Sequence, residues 1–174
     1  MLASHEVDDI GEIWVNDESI TPDMLNADGD VISGKYKNYM RVTKKMGTAD
    51  QGAESNMTAA FPEWTADHRL QGISYIYIRL IYNRDVWAGG IPNISAWVKG
   101  KKIYDPRTEE TVWSPNPMLM VKDYLTDDNL GVDANPNSLE PDFVTSGANT
   151  CDEMVTVTPI THAASGAVDT SLNI

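Results

Sequence analysis

The sequence predicts an α+β fold, namely a predominantly antiparallel β domain with one or two short helices. Two observations support this prediction. Short segments rich in β-branched and aromatic residues recur between residues 12 and 113, and turn-forming residues separate them. A helical pattern with both a start and a stop signal is clear only at residues 117–128.

The composition restricts the classes of partner. The chain has 174 residues, 41% of them apolar, which is enough for a buried core. Its net charge is −13, from 26 acidic and 13 basic residues. Because phosphate groups need a Lys/Arg surface, this charge argues against a nucleic-acid-binding protein and against adhesion to anionic lipid.

Two further sequence features bear on the cellular context. Cys151 is the single cysteine, so an intrachain disulfide is excluded, and we expect this thiol to be a small buried apolar group. The first residues have neither the basic nor the apolar segment of a signal peptide. A run of about 18 apolar residues is also missing, and we therefore expect no membrane anchor.

The first elements are a short hairpin and a turn. Residues 12–16 alternate as a strand does, residues 16–19 are turn-like, and a return strand begins at Ser19 and Ile20. Residues 26–30 predict an Asx-type turn in which Gly29 has a positive φ. A calcium loop is the alternative there, although Val31 and Lys37 stand where an EF-hand has Gly and Glu.

The middle of the chain has the strongest strand signals. Residues 36–44 read as a strand, and residues 48–60 as a loop or as a short helix over 50–60. Residues 73–82 have apolar side chains on both faces, which indicates a central strand or one covered on two sides.

A hairpin is predicted next. Residues 94–99 alternate, Gly100 and Lys101 fit a two-residue type II′ turn, and residues 102–104 form the return strand. A further short strand is expected at residues 111–113.

The helix at 117–128 begins at Asn116, a good N-cap, followed by Pro117 at the first helical position. Gly131 is expected to end it in the left-handed conformation. A second short helix is expected at 143–154 and a strand at 155–161. We place one β-rich domain at 1–135, and a linker with part of a following region at 136–174.

Side-chain patterns for catalysis are weak, and we predict no catalytic residue, metal or cofactor. The three histidines lack metal-ligand spacing, and neither a nucleophile elbow nor a phosphate-binding loop is present. His68 follows Asp67, but a hydrogen-bonded surface histidine is the more common outcome. A glycan hydrolase that uses a carboxylate pair remains an alternative. So does a carbohydrate-binding β module, which would stack sugar on Trp14, Trp64, Trp87, Trp97 or Trp113.

Several short motifs, in one order, resemble the central tail hub proteins of long-tailed phages. The matching stretches are residues 68–80, 90–94, 98–107, 114–118 and 123–126, with weaker similarity at 2–8, 28–29 and 148–153. We take as the structural signature of this resemblance the residues Gly72, Tyr75, Gly90, Ile91, Pro92, Gly100, Tyr104, Asp105, Asn116, Pro117, Asp123, Tyr124 and Leu125.

The resemblance implies a virion protein at the tail tip that acts as scaffold and not as enzyme. Hub proteins of this kind form a homotrimer, contact other tail proteins, close the tail tube and let the genome out, so DNA passes without being bound. They are several times longer than this chain, and their receptor-binding parts lie outside the matched region. Met118 replaces the small residue that usually follows Asn-Pro. We therefore expect an internal fragment of such a hub.

Overall fold

The computed structural model describes residues 1–153, which gather into two units, Met1–Ser114 and a second unit that begins at Pro115. The strands are β1 (Asp9–Val15), β2 (Glu18–Ile20), β3 (Met40–Lys45), β4 (Tyr75–Leu80), β5 (Ile94–Lys99), β6 (Ile103–Asp105) and β7 (Glu110–Val112). The α-helices are α1 (Ser55–Ala60), α2 (Pro117–Thr126) and α3 (Pro141–Cys151). The strand pairs are antiparallel, and the predicted α+β fold with mostly β content is confirmed.

The first unit contains a three-stranded sheet in the order β2-β1-β5. The hairpin between β1 and β2 is confirmed, and its two-residue turn consists of Asn16 (φ 49°) and Asp17 (φ 66°). Positive φ at both positions is the type I′ geometry that matches the twist of the flanking strands. The Asn16 amide donates to the Asn93 carbonyl at 2.9 Å, which holds the start of β5 beside this turn.

A second sheet pairs β3 with β4 over six residues. A cluster of buried side chains draws on the first sheet, on β3 and on the loops around them, with β4 side chains packed against it. Its members are Ile13, Val15, Ile20, Val31, Tyr36, Met40, Val42 and Trp87.

Two alternatives were predicted for residues 73–82, and the central strand is wrong, whereas both faces of β4 are partly buried. Among the described strands β4 pairs with β3 alone, so it is an edge strand. Ile76 and Ile78 pack against the core, whereas the rings of Tyr75 and Tyr77 on the other face are half-buried. Tyr75 and Tyr77 have large apolar rings, and the sequence pattern therefore looked apolar on both faces.

The predicted hairpin 94–104 is also wrong. β5 pairs with β1 and β6 pairs with β7, and Gly100 lacks the positive φ of a type II′ turn. Its carbonyl instead accepts the Asp8 amide at 3.0 Å. The reason is that the seven-residue β1 offers β5 a longer hydrogen-bonded ladder than the three-residue β6 does.

The strand predicted at 36–44 begins later, at Met40. Residues 36–39 form a turn in which Asn38 has a φ of 67°. The turn places the Tyr36 ring in the core, where it stacks on Trp87 with 5.1 Å between ring centroids. The predicted turn at 26–30 is confirmed, with Gly29 at a φ of 82° and Asn26 Oδ1 accepting the Asp28 and Asp30 amides.

The second unit pairs α2 with α3, which confirms both predicted helices within a few residues of their expected bounds. Leu119 on α2 and Val144 and Ala148 on α3 are buried. The role predicted for Gly131 is wrong: it does not have a positive φ, and the cap at Asp127 is extended. A Cβ at Gly131 would instead collide with the Tyr124 carbonyl, so glycine is needed there for close packing.

Two sequence predictions concern boundaries. The predicted domain 1–135 contains α2, whereas in the structure α2 belongs to the second unit, which begins at Pro115. The strand expected at 155–161 lies outside the described residues. In the described part of the chain, every helix is too short or too polar to cross a membrane.

Candidate functional site

Two of the three signature glycines, and Pro92 of the two signature prolines, have conformational roles. Gly72 (φ 73°) and Gly90 (φ 89°) occupy the left-handed region, which glycine adopts at little cost. Gly72 donates its amide to the Gly47 carbonyl at 3.1 Å, just before β4. Pro92 is buried at the entry to β5. These positions fix turns, and none of them contributes a reactive group.

Tyr104 and Asp105 belong to the hairpin of β6 and β7. Asp105 is 6% exposed, and both of its carboxylate oxygens accept hydrogen bonds from the Arg107 guanidinium at 2.7–3.1 Å. Its Oδ1 also accepts the Arg107 amide at 2.9 Å. The Asp-Pro-Arg motif thus closes its own turn with a charge-assisted pair, and the Tyr104 ring beside it is partly exposed.

The remaining signature residues stand in the second unit. Asn116 is 2% exposed, and its Oδ1 accepts the Met118 and Leu119 amides at the start of α2. Its Nδ2 donates to the Ala148 carbonyl and to Asp152 Oδ1, both at 2.8 Å. One side chain therefore caps α2 and ties it to α3. The others follow on α2, namely Pro117 at its first position, then Asp123, Leu125 and the exposed Tyr124.

An exposed apolar surface lies at the signature residues Gly90 and Ile91. Ile91 is 91% exposed and Tyr82 is 82% exposed, beside a cleft of about 360 Å³ that Leu80, Trp87 and Gly90 complete. We call these five residues the Ile91 surface. Trp87 forms its rigid base, because its ring stacks on Tyr36 in the core and its indole N–H donates to the Ile81 carbonyl at 2.9 Å.

Gln51 is a structural residue that the sequence did not reveal. It is 6% exposed, and its Oε1 accepts the Gly47 amide at 2.8 Å. Its Nε2 donates to the carbonyls of Leu70 at 2.8 Å and Arg69 at 3.1 Å. The side chain thereby holds the segment that leads into β4. A lone Gln in a polar stretch has no sequence signature, so only the folded chain shows this role.

The possible calcium ligands of the 26–30 turn are engaged otherwise. Arg41 donates to both carboxylate oxygens of Asp30 at 2.6 and 2.7 Å, and to Asn56 Oδ1 at 2.6 Å. These hydrogen bonds and the positive charge of Arg41 lower the pKa of Asp30. In residues 1–153, no group of three or more His, Cys, Asp or Glu side chains is placed to hold a metal ion.

The five tryptophans have different environments. Trp87 is buried in the core, Trp64 stacks on His68 at 5.0 Å, and the Lys99 ammonium lies 5.4 Å from the centroid of Trp113. Trp14 and Trp97 lie together on the outer face of the first sheet, with ring centroids 6.3 Å apart.

The structure also shows the surroundings of His68 and Cys151, for which the sequence predicted a surface histidine and a buried thiol. His68 Nδ1 accepts the Thr65 amide at 3.0 Å, as expected of a hydrogen-bonded surface histidine. The expectation of a buried thiol is wrong: Cys151, at the end of α3, is exposed. By helical spacing Cys151 falls on the same stripe as the buried Val144 and Ala148, but it is the last residue of α3, where that stripe ends.

Comparisons with protein-family models and with curated proteins identify no relative. No protein-family model matches the chain, and no curated protein matches it significantly.

Proposed function

We propose that this chain is a structural module of the central hub at the tip of a phage tail. The observation that carries the proposal is the ordered succession of hub-like motifs across most of the chain. In this role the module closes the tail tube, takes part in host attachment and genome delivery, and has no catalytic duty.

The roles of the signature residues agree with a scaffold. Gly72 and Gly90 set turns, Asp105 closes a hairpin and Asn116 fastens two helices. Each of these residues stabilises local shape, and Asp105 and Asn116 are buried. A self-assembling module needs residues of this kind, which fix the local backbone conformation.

The Ile91 surface supports contact with a neighbouring protein. Exposed apolar residues that adjoin one another, as Ile91 and Tyr82 do at this cleft, are typical of protein–protein contact sites. The partners in this proposal are two further copies of the hub and other tail proteins.

The net charge of −13 fits a channel through which DNA moves. Carboxylates facing the lumen repel phosphate over a Debye length of about 8–10 Å in salt, so the genome passes without adhering.

The test is a charge placed on the Ile91 surface within the phage gene. Ile91→Glu leaves the isolated chain with an unchanged Tm, because the side chain is 91% exposed. In the assembled tail it buries an unpaired charge, which is costly. We expect tailed, infectious particles to fall by orders of magnitude, as counted by electron microscopy and plaque assay.

Ile32→Glu is the matched control, since Ile32 is an exposed isoleucine that does not belong to the Ile91 surface. This variant should assemble normally. Normal particle yield and infectivity from Ile91→Glu would show that its surface is not a tail contact.

A further inference from the structure

The outer face of the first sheet has a cleft between two indole rings. Trp14 on β1 lies in register between Ser19 on β2 and Ser95 on β5, and Trp97 follows two residues after Ser95. The cleft measures about 540 Å³, and Trp14, Asp17, Ser95, Ala96 and Trp97 line it.

The two rings form a tilted aromatic pair at the cleft, with centroids 6.3 Å apart and planes inclined by 60°, so they are not stacked face to face. Trp97 is 70% exposed, an unfavourable position for the largest apolar side chain unless something covers it. The backbone pairing of β1 with β5 holds both rings in place.

The polar lining of the cleft determines the chemistry of a ligand. Its lining residues include the polar Asp17 and Ser95, and no Lys or Arg is among the described residues that line it. An anionic ligand would therefore meet an unbalanced carboxylate. A neutral ligand with several hydroxyl donors would satisfy Asp17 and Ser95 while its apolar face rests on indole.

The turn that carries Asp17 strengthens this interpretation. Asp17 has a φ of 66° in a type I′ turn, where glycine is the residue of least strain. The neighbouring Asn16 is tied through its Oδ1 to the Asn93 amide at 2.9 Å, so the turn is fixed against the start of β5. Asp17 is thus placed at the cleft by a turn that is fixed to the neighbouring strand.

From these observations we propose that the Trp14–Trp97 cleft binds a pyranose unit of a neutral glycan. One sugar ring stacks on Trp97 with its edge toward Trp14, and its hydroxyls donate to Asp17 and exchange hydrogen bonds with Ser95. The site is distinct from the Ile91 surface and does not require the hub role, so either proposal can fail without the other.

The experiment titrates the full chain with maltohexaose, cellohexaose and chitohexaose, following tryptophan fluorescence and calorimetry. At least one of them should bind with a Kd of about 10 µM to 1 mM. Trp97→Ala should weaken that binding about tenfold or more, since one stacked ring contributes on this scale. Asp17→Asn keeps the shape of the side chain and should weaken it by a smaller factor.

Trp64→Ala is the control, because this indole stacks on His68 and does not line the cleft. It should leave the affinity unchanged, and the Tm of every variant is measured to exclude unfolding. Absence of binding by all three sugars at 10 mM (about the weakest affinity of interest) overturns the proposal. Unchanged affinity in Trp97→Ala also overturns it. Choline and a proline-rich peptide are titrated alongside the sugars, and binding of only these ligands overturns it. So does a change of oligomeric state in Trp97→Ala, which would make the cleft a contact between copies of the chain.

Discussion

Arg41 joins three segments of the first unit through one side chain. From β3 it reaches Asp30 with two hydrogen bonds and Asn56 of α1 with a third. The pKa of Asp30 is lowered, first by the hydrogen bonds from Arg41 and then by the charges of Arg41 and Arg79. A carboxyl with a depressed pKa stabilises the fold above its ordinary pKa and loses that contribution as the pH falls through the depressed value.

We therefore predict that Arg41→Met lowers stability at neutral pH and also flattens its pH dependence. In the native chain the free energy of unfolding should fall as the pH drops below about 4, the ordinary value for aspartate, because the unfolded chain then takes up a proton that folded Asp30 resists. In the variant this decline should be shallower, because Asp30 no longer has the partner that lowers its pKa. Urea denaturation at a series of pH values measures both effects.

Lys35→Met is the matched control, since the Lys35–Glu18 pair is about half exposed and such pairs contribute little. Its pH profile should parallel that of the native chain. An Arg41→Met profile as steep as the native one would show that the pair with Arg41 does not lower the pKa of Asp30.

Single residues were predictable where one side chain determines its own backbone. The Asx turn at Asn26 and the positive φ of Gly29 were correct for this reason. The prediction for Gly131 failed because its constraint is the Tyr124 carbonyl, which approaches only after α2 has formed. Gln51 was missed for the same reason, as its acceptors lie about 20 residues further along the chain.

At the start of helix α2, the capping residue Asn116 also binds the neighbouring helix α3. The Asn116 side chain satisfies two amides at the start of α2 and one carbonyl of α3. Gly147 lets the helices approach closely, since a Cβ there would lie 3.0 Å from the Met118 side chain. The capping role followed from the sequence, whereas the bond to Ala148 depends on how the helices pack.

We predict that Asn116→Ala destabilises the second unit by about 2–3 kcal/mol. The loss of the cap costs about 1 kcal/mol, and the loss of the two hydrogen bonds from Asn116 Nδ2 to the Ala148 carbonyl and Asp152 Oδ1 costs about 1–2 kcal/mol more. Hydrogen exchange of the Met118 and Leu119 amides measures this directly, and both should exchange faster.

Asn135→Ala is the control at this scale, because Asn135 is exposed and caps only the 3₁₀ turn Pro136–Ser138. It should cost less than about 1 kcal/mol. Equal protection of Met118 and Leu119 in Asn116→Ala and the native chain would disprove the role given to Asn116.

Strand existence was more predictable than strand pairing. The segments of β1, β2, β4 and β5 all followed from residue type and alternation. The partner of β5 did not, because the choice between β1 and β6 depends on ladder length across 80 residues of chain, and the local Gly100 turn signal favoured the wrong one. Such a choice is made by tertiary contacts, which a local pattern does not contain.

At the scale of the whole molecule, the sequence predicted the fold class and the signature residues but not the surfaces they form. Composition and motif order led to the hub proposal. The exposure of Ile91 and the pairing of the Trp14 and Trp97 rings are seen only in the folded structure. In this account most signature residues maintain shape, whereas Ile91 and the exposed residues around it make the contacts.

The most direct test is immunogold labelling of phage particles from the strain that encodes the chain, with an antiserum raised against residues 1–153. Gold should lie at the distal end of the tail. The same serum on a host lysate confirms that the protein is expressed. Gold on other parts of the particle, or unlabelled particles beside a positive lysate, would contradict the assignment to the tail tip.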